Sequence, residues 1–426
     1  MTLFPVDDLR REFPALTQAD DFLFFDNAAG AQIPGSVLAA VTDHLVLRNV
    51  QRGGPYPRSQ QVDAMIARTR EAVAALVNAR SPREVAFGLN ATSFIRSISL
   101  AVGQTLGSRP EIVVSDLDHE ANIATWLALE RMGARIVWWK VRDDGRLHVA
   151  DVEALVSDRT RLVACTAASN ATGTRVDVAG ATRVAHAAGA EVFVDAVHFA
   201  PHGSIDVQSL DCDYLVCSGY KIFSPHMGFA WCRSEAIDRL PIFREDFIPD
   251  VTPDKLEAGT YAYENVAGME AVVEYLARLG RCFTATPEAS RAVVVRAAME
   301  AIAAYERTLA QALVDAVLSI DGAIVHGVVD RQHIVERVPT VSFTVRDIVP
   351  AAIEAALALR GVGARSGHMY APRLMQRLKL MPGGTVRISL VHYNTLAEVS
   401  RFRDALADTI ADIGSHATRY NQRHYH

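Results

Sequence analysis

Lysine is nearly missing from this chain. Of its 43 basic residues only four are lysines: Lys140, Lys221, Lys255 and Lys379. Arginine stands in nearly everywhere else, the kind of bias that genomic base composition imposes. Any chemistry that needs a side-chain amine therefore has four candidates. Cysteine is sparse too: Cys165, Cys212, Cys217, Cys232 and Cys282, with none after position 282. They form no CxxC pair, so neither a zinc site nor a disulfide framework is expected. No run reaches about 18 uninterrupted apolar residues, which excludes the usual membrane helix. The opening MTLFPVDDLRREF carries acids and no apolar run, so no signal peptide is read and a cytoplasmic protein with free thiols is expected. Basic excess is absent as well. The net charge is −6, which speaks against nucleic acid as a partner. Neither internal repeats nor low-complexity segments occur.

What is present is a core. The 426 residues are 50% hydrophobic and 22% charged, enough apolar surface for two or three domains. Residues 6–13 read as a short helix broken by Pro14, and FLFF at 22–25 reads as a strand. Helices are expected over 36–48 and 60–76, around a Gly/Pro loop, QRGGPYPRS, at 51–59. From residue 84 short β-rich runs alternate with helical ones. Strands are read within 84–88, 111–116, 134–141, 160–169, 190–197, 212–219 and 227–232, with helices over 93–106, 121–131, 149–155 and 178–187. This alternation predicts an α/β fold whose mainly parallel sheet is covered on both faces. After residue 264 the helices lengthen and the strands thin out, which predicts a smaller α+β part. The expected division is an N-terminal segment (1–20), a large domain (21–265), a small C-terminal domain (266–415) and a polar, frayed tail (416–426).

Chemistry-bearing residues gather at the expected strand exits, where open α/β sheets bind ligands. Lys221 sits in CSGYKIFSP, just after a strand, whereas the other three lysines read as strand-end or surface residues. A lysine among small residues at such a place can form a Schiff base, because burial lowers its pKa. Asp195 ends the apolar strand VFVDAV, 26 residues earlier. A carboxylate there needs a cationic partner, and the protonated pyridine nitrogen of pyridoxal phosphate supplies one. Lys221 and Asp195 thus address two ends of one cofactor ring. Asn170 in SNATGT could reach the ring's phenolic oxygen, His198 in VDAVH the same oxygen or the imine, and His119 in DHEAN could stack on its face. Ala91, Thr92 and Ser93 precede a helix, where backbone N–H groups bind phosphate, and Ser218 adds a hydroxyl.

The ordered motifs DNAA, DHEAN, SNATGT, VDAVH, SGYK, EAGT, RSGHMYA and VRISLVHYNT resemble the class V aminotransferase group of fold type I pyridoxal phosphate enzymes. The likeness spans residues 22–413 and is nearest the cysteine desulfurase and selenocysteine lyase branch. Isopenicillin N epimerases and kynureninases are more distant. The resemblance implies a large domain with a seven-stranded sheet, a small C-terminal domain, and a homodimer with active sites at the interface. It gives Lys221 the Schiff base, Asp195 the pyridine nitrogen and His119 the ring face. Asn170 and His198 would lie at the phenolic oxygen, His198 where desulfurases usually carry Gln. Ala91, Thr92 and Ser218 would hold phosphate. Thr260, in EAGT, would reach the phosphate of the neighbouring subunit, and Tyr220 stands where desulfurases have His. Arg387 would bind the substrate carboxylate, with Arg365 and Asn27 beside it.

One departure bears on the reaction. Desulfurases of this branch place a nucleophilic cysteine in R-x-G-x-x-C-A; here the segment is Arg365-Ser366-Gly367-His368-Met369-Tyr370-Ala371. Tyr370 holds the cysteine's place, and a phenol cannot carry sulfur as a persulfide. The expected activity is C–S cleavage by β-elimination on cysteine or an S-conjugated cysteine, without an enzyme persulfide. Epimerisation, transamination and decarboxylation with oxidative deamination are the alternatives, and a true cysteine desulfurase is expected less than these. Tyr370, Tyr220 and His368 are the candidate acids or proton shuttles. The loop 51–57 is the expected selector of the substrate side chain, across the dimer. A ligand-sensing module would need a DNA-binding extension, which is not read here, and an inactive homologue would be expected to have lost Lys221 or Asp195.

Overall fold

The computed structural model describes residues 3–286 and 288–423, the last eight as backbone only. Seven strands build the main sheet: β1 (Val85–Gly88), β2 (Glu111–Ser115), β3 (Arg135–Trp139), β4 (Thr160–Thr166), β5 (Glu191–Asp195), β6 (Tyr214–Ser218) and β7 (Gly228–Cys232). Their order is β1-β7-β6-β5-β4-β2-β3. The pairs from β6 across to β3 are parallel, and β7 alone runs against its neighbours.

The sheet forms because its strands are apolar on both sides. EIVVS, YLVCS and GFAWC are buried at every position. Alternation then divides the side chains between two cores. Val113, Val163, Val194 and Leu215 pack on one face with helices 57–77 and 263–281. Val114, Leu162, Phe193 and Val216 pack on the other, with Phe94, Ile98 and Trp126. Each such side chain, fully buried, contributes about 1.5–3 kcal/mol relative to exposure.

A second sheet follows: β8 (Ala323–His326), β9 (Thr340–Val345), β10 (Arg365–Gly367) and β11 (Thr385–Ser389), antiparallel in the order β10-β11-β9-β8. Its register sets Arg387 opposite both Arg365 and Ser342. Helices Arg291–Leu318 and Leu396–Arg423 cover it. A two-residue strand, Leu23–Phe24, joins Val362–Gly363, and Asp26 bridges to Ser389. The N-terminal chain is thereby tied to the second sheet.

Most expected elements appear within a few residues of their predicted bounds. Three expectations need correcting. The first helix stops at Arg11 and a separate turn, Pro14–Thr17, begins at the proline. The tail is not frayed from residue 416: the last helix runs to Arg423, since neither glycine nor proline interrupts SHATRYNQR, and residues 424–426 lie outside the described residues. Lys255 is not a surface lysine. It is 3% exposed, and its Nζ lies 2.9 Å from Asp250 and 3.3 Å from the Ile237 carbonyl.

Candidate active site

The carboxyl ends of β2, β4, β5 and β6 converge on one cavity. Its inner part, about 70 Å³, is lined by Ala91, Thr92, His119, Asp195, His198 and Lys221, among others. It opens into a cleft of about 550 Å³ that adds Ala28, His226, Arg365, Tyr370 and Arg387. Strands separated by up to a hundred residues deliver these groups because parallel pairing brings all their exits to one edge.

Lys221 ends a short turn, Gly219–Lys221, immediately after β6. Its amine donates to the Ala28 carbonyl and lies 5.3 Å from the centre of the Tyr220 ring. Burial, with Arg387 nearby, pushes the amine's pKa down to about 7 against the pull of Asp195 and Asp26. A neutral amine, the form that can attack a carbonyl or take a proton, is thus available near neutrality. Asp195 closes β5. Its Oδ1 accepts from the Val197 N–H at 2.9 Å, and burial lifts its pKa to about 6. It is a carboxylate in want of a cation.

The helix Ala91–Gly103 begins at the cavity wall. Asn90 caps it, accepting from the Ser93 N–H at 2.9 Å. The Ala91 N–H donates to Ser218 Oγ at 3.2 Å. Gly228 lets β7 pass this close: a Cβ there would sit 2.5 Å from the Asn90 backbone. The helix start and the Ser218 hydroxyl thus form the dipole end and donor set that a phosphate requires.

His119 accepts from the Ala121 N–H at 3.0 Å through Nδ1. Burial, then Lys221 and Arg387, depress its pKa to about 4, so the ring is neutral. Tyr370 lies over it, with centroids 5.7 Å apart and 29° between planes. Asn170 Nδ2 donates to the Met369 carbonyl at 2.6 Å, and the Glu120 N–H donates to the Tyr370 carbonyl at 2.8 Å. Segment 368–371 is therefore pinned above the pocket from two sides. Met369 and Tyr370 both adopt positive φ, 52° and 57°. Strain of about 1–3 kcal/mol per such residue persists where surrounding contacts hold it.

Arg387 is 2% exposed. It donates to the Asn170 carbonyl and to Asp26 Oδ1, each at 2.9 Å. Arg365 holds the other oxygen of Asp26, at 2.8 Å through Nη2. Two arginines thus share one carboxylate, leaving a net positive charge at the cleft that suits a second carboxylate.

The remaining expected residues fall elsewhere. Asn27 does not line the cleft. Its amide is spent on the Phe24 and Ser389 carbonyls and on Asn394, and its Oδ1 accepts from Tyr393, so it clamps the loop and does not face a substrate. His368 points outward and accepts from the Tyr370 N–H at 3.1 Å. Tyr220 stacks on His226 with 12° between planes. Thr260 lies apart from Lys221's cleft. It accepts from Gln51 Nε2 at 2.8 Å, in a separate cavity of about 470 Å³ that also takes in Arg52. Asp26 went unnamed at the sequence level, although the DNAA motif contains it. Asp118 was missed likewise: buried beneath His119, it is bonded to Ser115 and Asn122, and its pKa is raised by burial to about 7.

The unsatisfied groups show what the pocket fits. Among the described residues, the buried Asn170 Oδ1, His198 Nδ1 and Arg387 Nε have no hydrogen-bond partner. Together with the Asp195 carboxylate, a low-pKa lysine and the helix start beside Thr92 and Ser218, they match the pyridine nitrogen, phenolic oxygen, aldehyde and phosphate of pyridoxal phosphate. Fold and pocket define a fold type I pyridoxal phosphate enzyme.

The comparisons with known proteins agree. Residues 23–402 match the family "Aminotransferase class-V". An aminotransferase-like protein of Gibberella zeae is 34% identical over 95% of this chain and 98% of its own length. A probable cysteine desulfurase of Streptomyces coelicolor is 29% identical over 96% and 97%. The solved structure of the cysteine desulfurase CsdA of Escherichia coli superposes with a TM-score of 0.81 at 27% identity, covering 96% of this chain and 98% of that one. The chain belongs to the aminotransferase class-V family and is a pyridoxal phosphate-dependent, cysteine desulfurase-like enzyme.

Proposed function

We propose that this enzyme cleaves the Cβ–S bond of cysteine or an S-conjugated cysteine by β-elimination, without an enzyme persulfide. The observation that carries the reading is the place of Tyr370, which covers His119 where a persulfide-forming branch would present a thiol. Among the described residues no cysteine lines the cleft. Cys165 and Cys217 are fully buried, and burial raises their thiols well above the usual range, so neither is a nucleophile.

Pyridoxal phosphate would be held by Lys221, by Asp195 at the pyridine nitrogen, by His119 on the ring face, by Asn170 and His198 at the phenolic oxygen, and by Ala91, Thr92 and Ser218 at the phosphate. When bound, it supplies the electron sink conjugated to the substrate's Cα. Arg387 and Arg365 bind the substrate carboxylate and orient Cα toward Lys221. The Lys221 amine takes the Cα proton. The Cβ–S bond breaks with its electron pair on sulfur, and the departing thiolate takes a proton from the Tyr370 hydroxyl. The released 2-aminoacrylate reacts with water to give pyruvate and ammonia. Arginines that pin the carboxylate oppose its loss, which disfavours decarboxylation.

We read the active form as a cytoplasmic homodimer. Exposed Phe247 lines the Gln51–Thr260 cavity, and a partner subunit would cover it. That placement fits Thr260 serving a neighbouring phosphate and loop 51–57 serving a neighbouring substrate. The division into segments 1–20, 21–265, 266–415 and 416–426 remains our reading of the chain. The test is product analysis with S-alkylcysteine: thiol, pyruvate and ammonia in equal amounts support elimination, and racemised or deaminated substrate with no thiol overturns it.

A further inference from the structure

Behind the pocket a second polar cluster reaches His198 from the far side. His198 lines the inner cavity, and its Nε2 lies 3.0 Å from Thr340 Oγ1. The His202 ring meets it edge to face, with centroids 5.3 Å apart and 69° between planes. His202 Nδ1 lies 2.7 Å from Glu306 Oε2, on helix Arg291–Leu318. Both side chains of this pair are 2% exposed. The His392 backbone N–H also bonds the Glu306 carboxyl. His202 and Glu306 border a separate cavity of about 240 Å³ whose walls include Arg175, Glu300, Arg307 and Arg337.

A buried His–Glu pair is seldom a net gain in stability over apolar residues of equal volume. Its position against a cofactor-pocket histidine gives it another use. We propose that Glu306 and His202 are positioning residues for His198: the carboxylate fixes the His202 ring and its Nδ1 proton, and the edge of that ring holds His198 in one orientation, with Nε2 on Thr340 Oγ1 and the unpartnered Nδ1 left for the cofactor, and so in one neutral tautomer. This role rests on the pocket's use of pyridoxal phosphate and is the same for any reaction at Cα.

The charges facing these rings agree. Burial holds His198 neutral, and His202, Lys221 and Arg387 all oppose its protonation. His202 in turn faces Glu306 and His392. A carboxylate only accepts, so ionised Glu306 requires the proton on His202 Nδ1. Without that carboxylate, His202 can turn over and His198 loses its support.

The test is nuclear magnetic resonance of the full chain labelled with 15N-histidine, titrated from acid to alkaline pH with and without added pyridoxal phosphate. In the native protein the His198 nitrogens should report one neutral tautomer throughout. In Glu306→Gln they should average between tautomers, and the pH midpoint of the bound cofactor's visible band should move by about half a unit or more. Glu306→Asp, which keeps a carboxylate, should restore much of the native pattern. Native His198 found exchanging between tautomers overturns the proposal even if no variant folds. So does a folded Glu306→Gln, its circular dichroism unchanged, with native His198 signals and an unmoved midpoint.

Discussion

The Tyr370 ring lies over the His119 imidazole, 5.7 Å between centroids and 29° from parallel. The phenol therefore stands at the mouth of the pocket while the imidazole lines its inner wall. Removing the hydroxyl separates the two contributions of this side chain. Tyr370→Phe should keep cofactor binding and KM near native and lower kcat by about 10²-fold, the scale of a lost general acid. Tyr370→Ala should also loosen the ring contact and raise KM. Steady-state thiol release checks both.

Lys221 carries the cofactor linkage. Lys221→Ala should bind pyridoxal phosphate without the visible band of a lysine Schiff base and should have no lyase activity. Because the native amine's pKa is depressed to about 7, its neutral fraction grows as pH rises through that value. The rate at which cofactor-free protein regains the band should climb through pH 7 and level off above it. Stopped-flow absorbance at several pH values tests this.

Asp195 costs the cofactor-free fold stability. Its carboxyl pKa is raised from 3.8 to about 6, so the folded state binds that proton more tightly than the unfolded one. Below about 3.8 both states hold the proton and there is no cost; the cost grows as pH rises from there and is complete above about 6, where the folded carboxyl ionises. Cofactor-free Asp195→Asn should therefore melt above cofactor-free native protein at pH 8. The gap should close as pH falls from about 6 toward 4. With pyridoxal phosphate added the order should reverse, since asparagine cannot pair with a protonated pyridine. Thermal melts with and without cofactor decide it.

Asp26 neutralises buried Arg387. Asp26→Asn leaves that guanidinium with the Asn170 carbonyl and no carboxylate. Breaking a largely buried pair from one side costs about 3–5 kcal/mol in fully buried cases, and Asp26 is partly exposed, so about 2 kcal/mol is expected. Urea denaturation should show it, together with a higher KM as the arginine pair loses its anchor.

The strand pattern and the lysine scarcity made much of this legible in advance. Apolar runs of five residues between helices give the parallel sheet, because a strand buried on both faces has no polar alternation. Four lysines, of which one alone stands among small residues just after a strand, point to Lys221. What depended on pairing between distant segments could not be read. Asp26 meets Arg387 and Arg365 only through the Asp26–Ser389 bridge and the β10–β11 register. The same contacts consume the Asn27 amide, a residue whose motif alone suggested a substrate contact. Lys255 looks like a surface residue until Asp250 and the Ile237 carbonyl close around it. The Glu306–His202 contact joins positions 104 residues apart and leaves no local signature.

The central claim is elimination without a persulfide. The most direct measurement follows purified holoenzyme with S-alkylcysteine, quantifying thiol and pyruvate, and in parallel takes an intact-mass spectrum after incubation with cysteine. The account predicts equimolar thiol and pyruvate, their loss in Lys221→Ala, and a protein mass without an added sulfur. Alanine formed from cysteine, with one sulfur added to the protein and no thiol released from S-alkylcysteine, would contradict it.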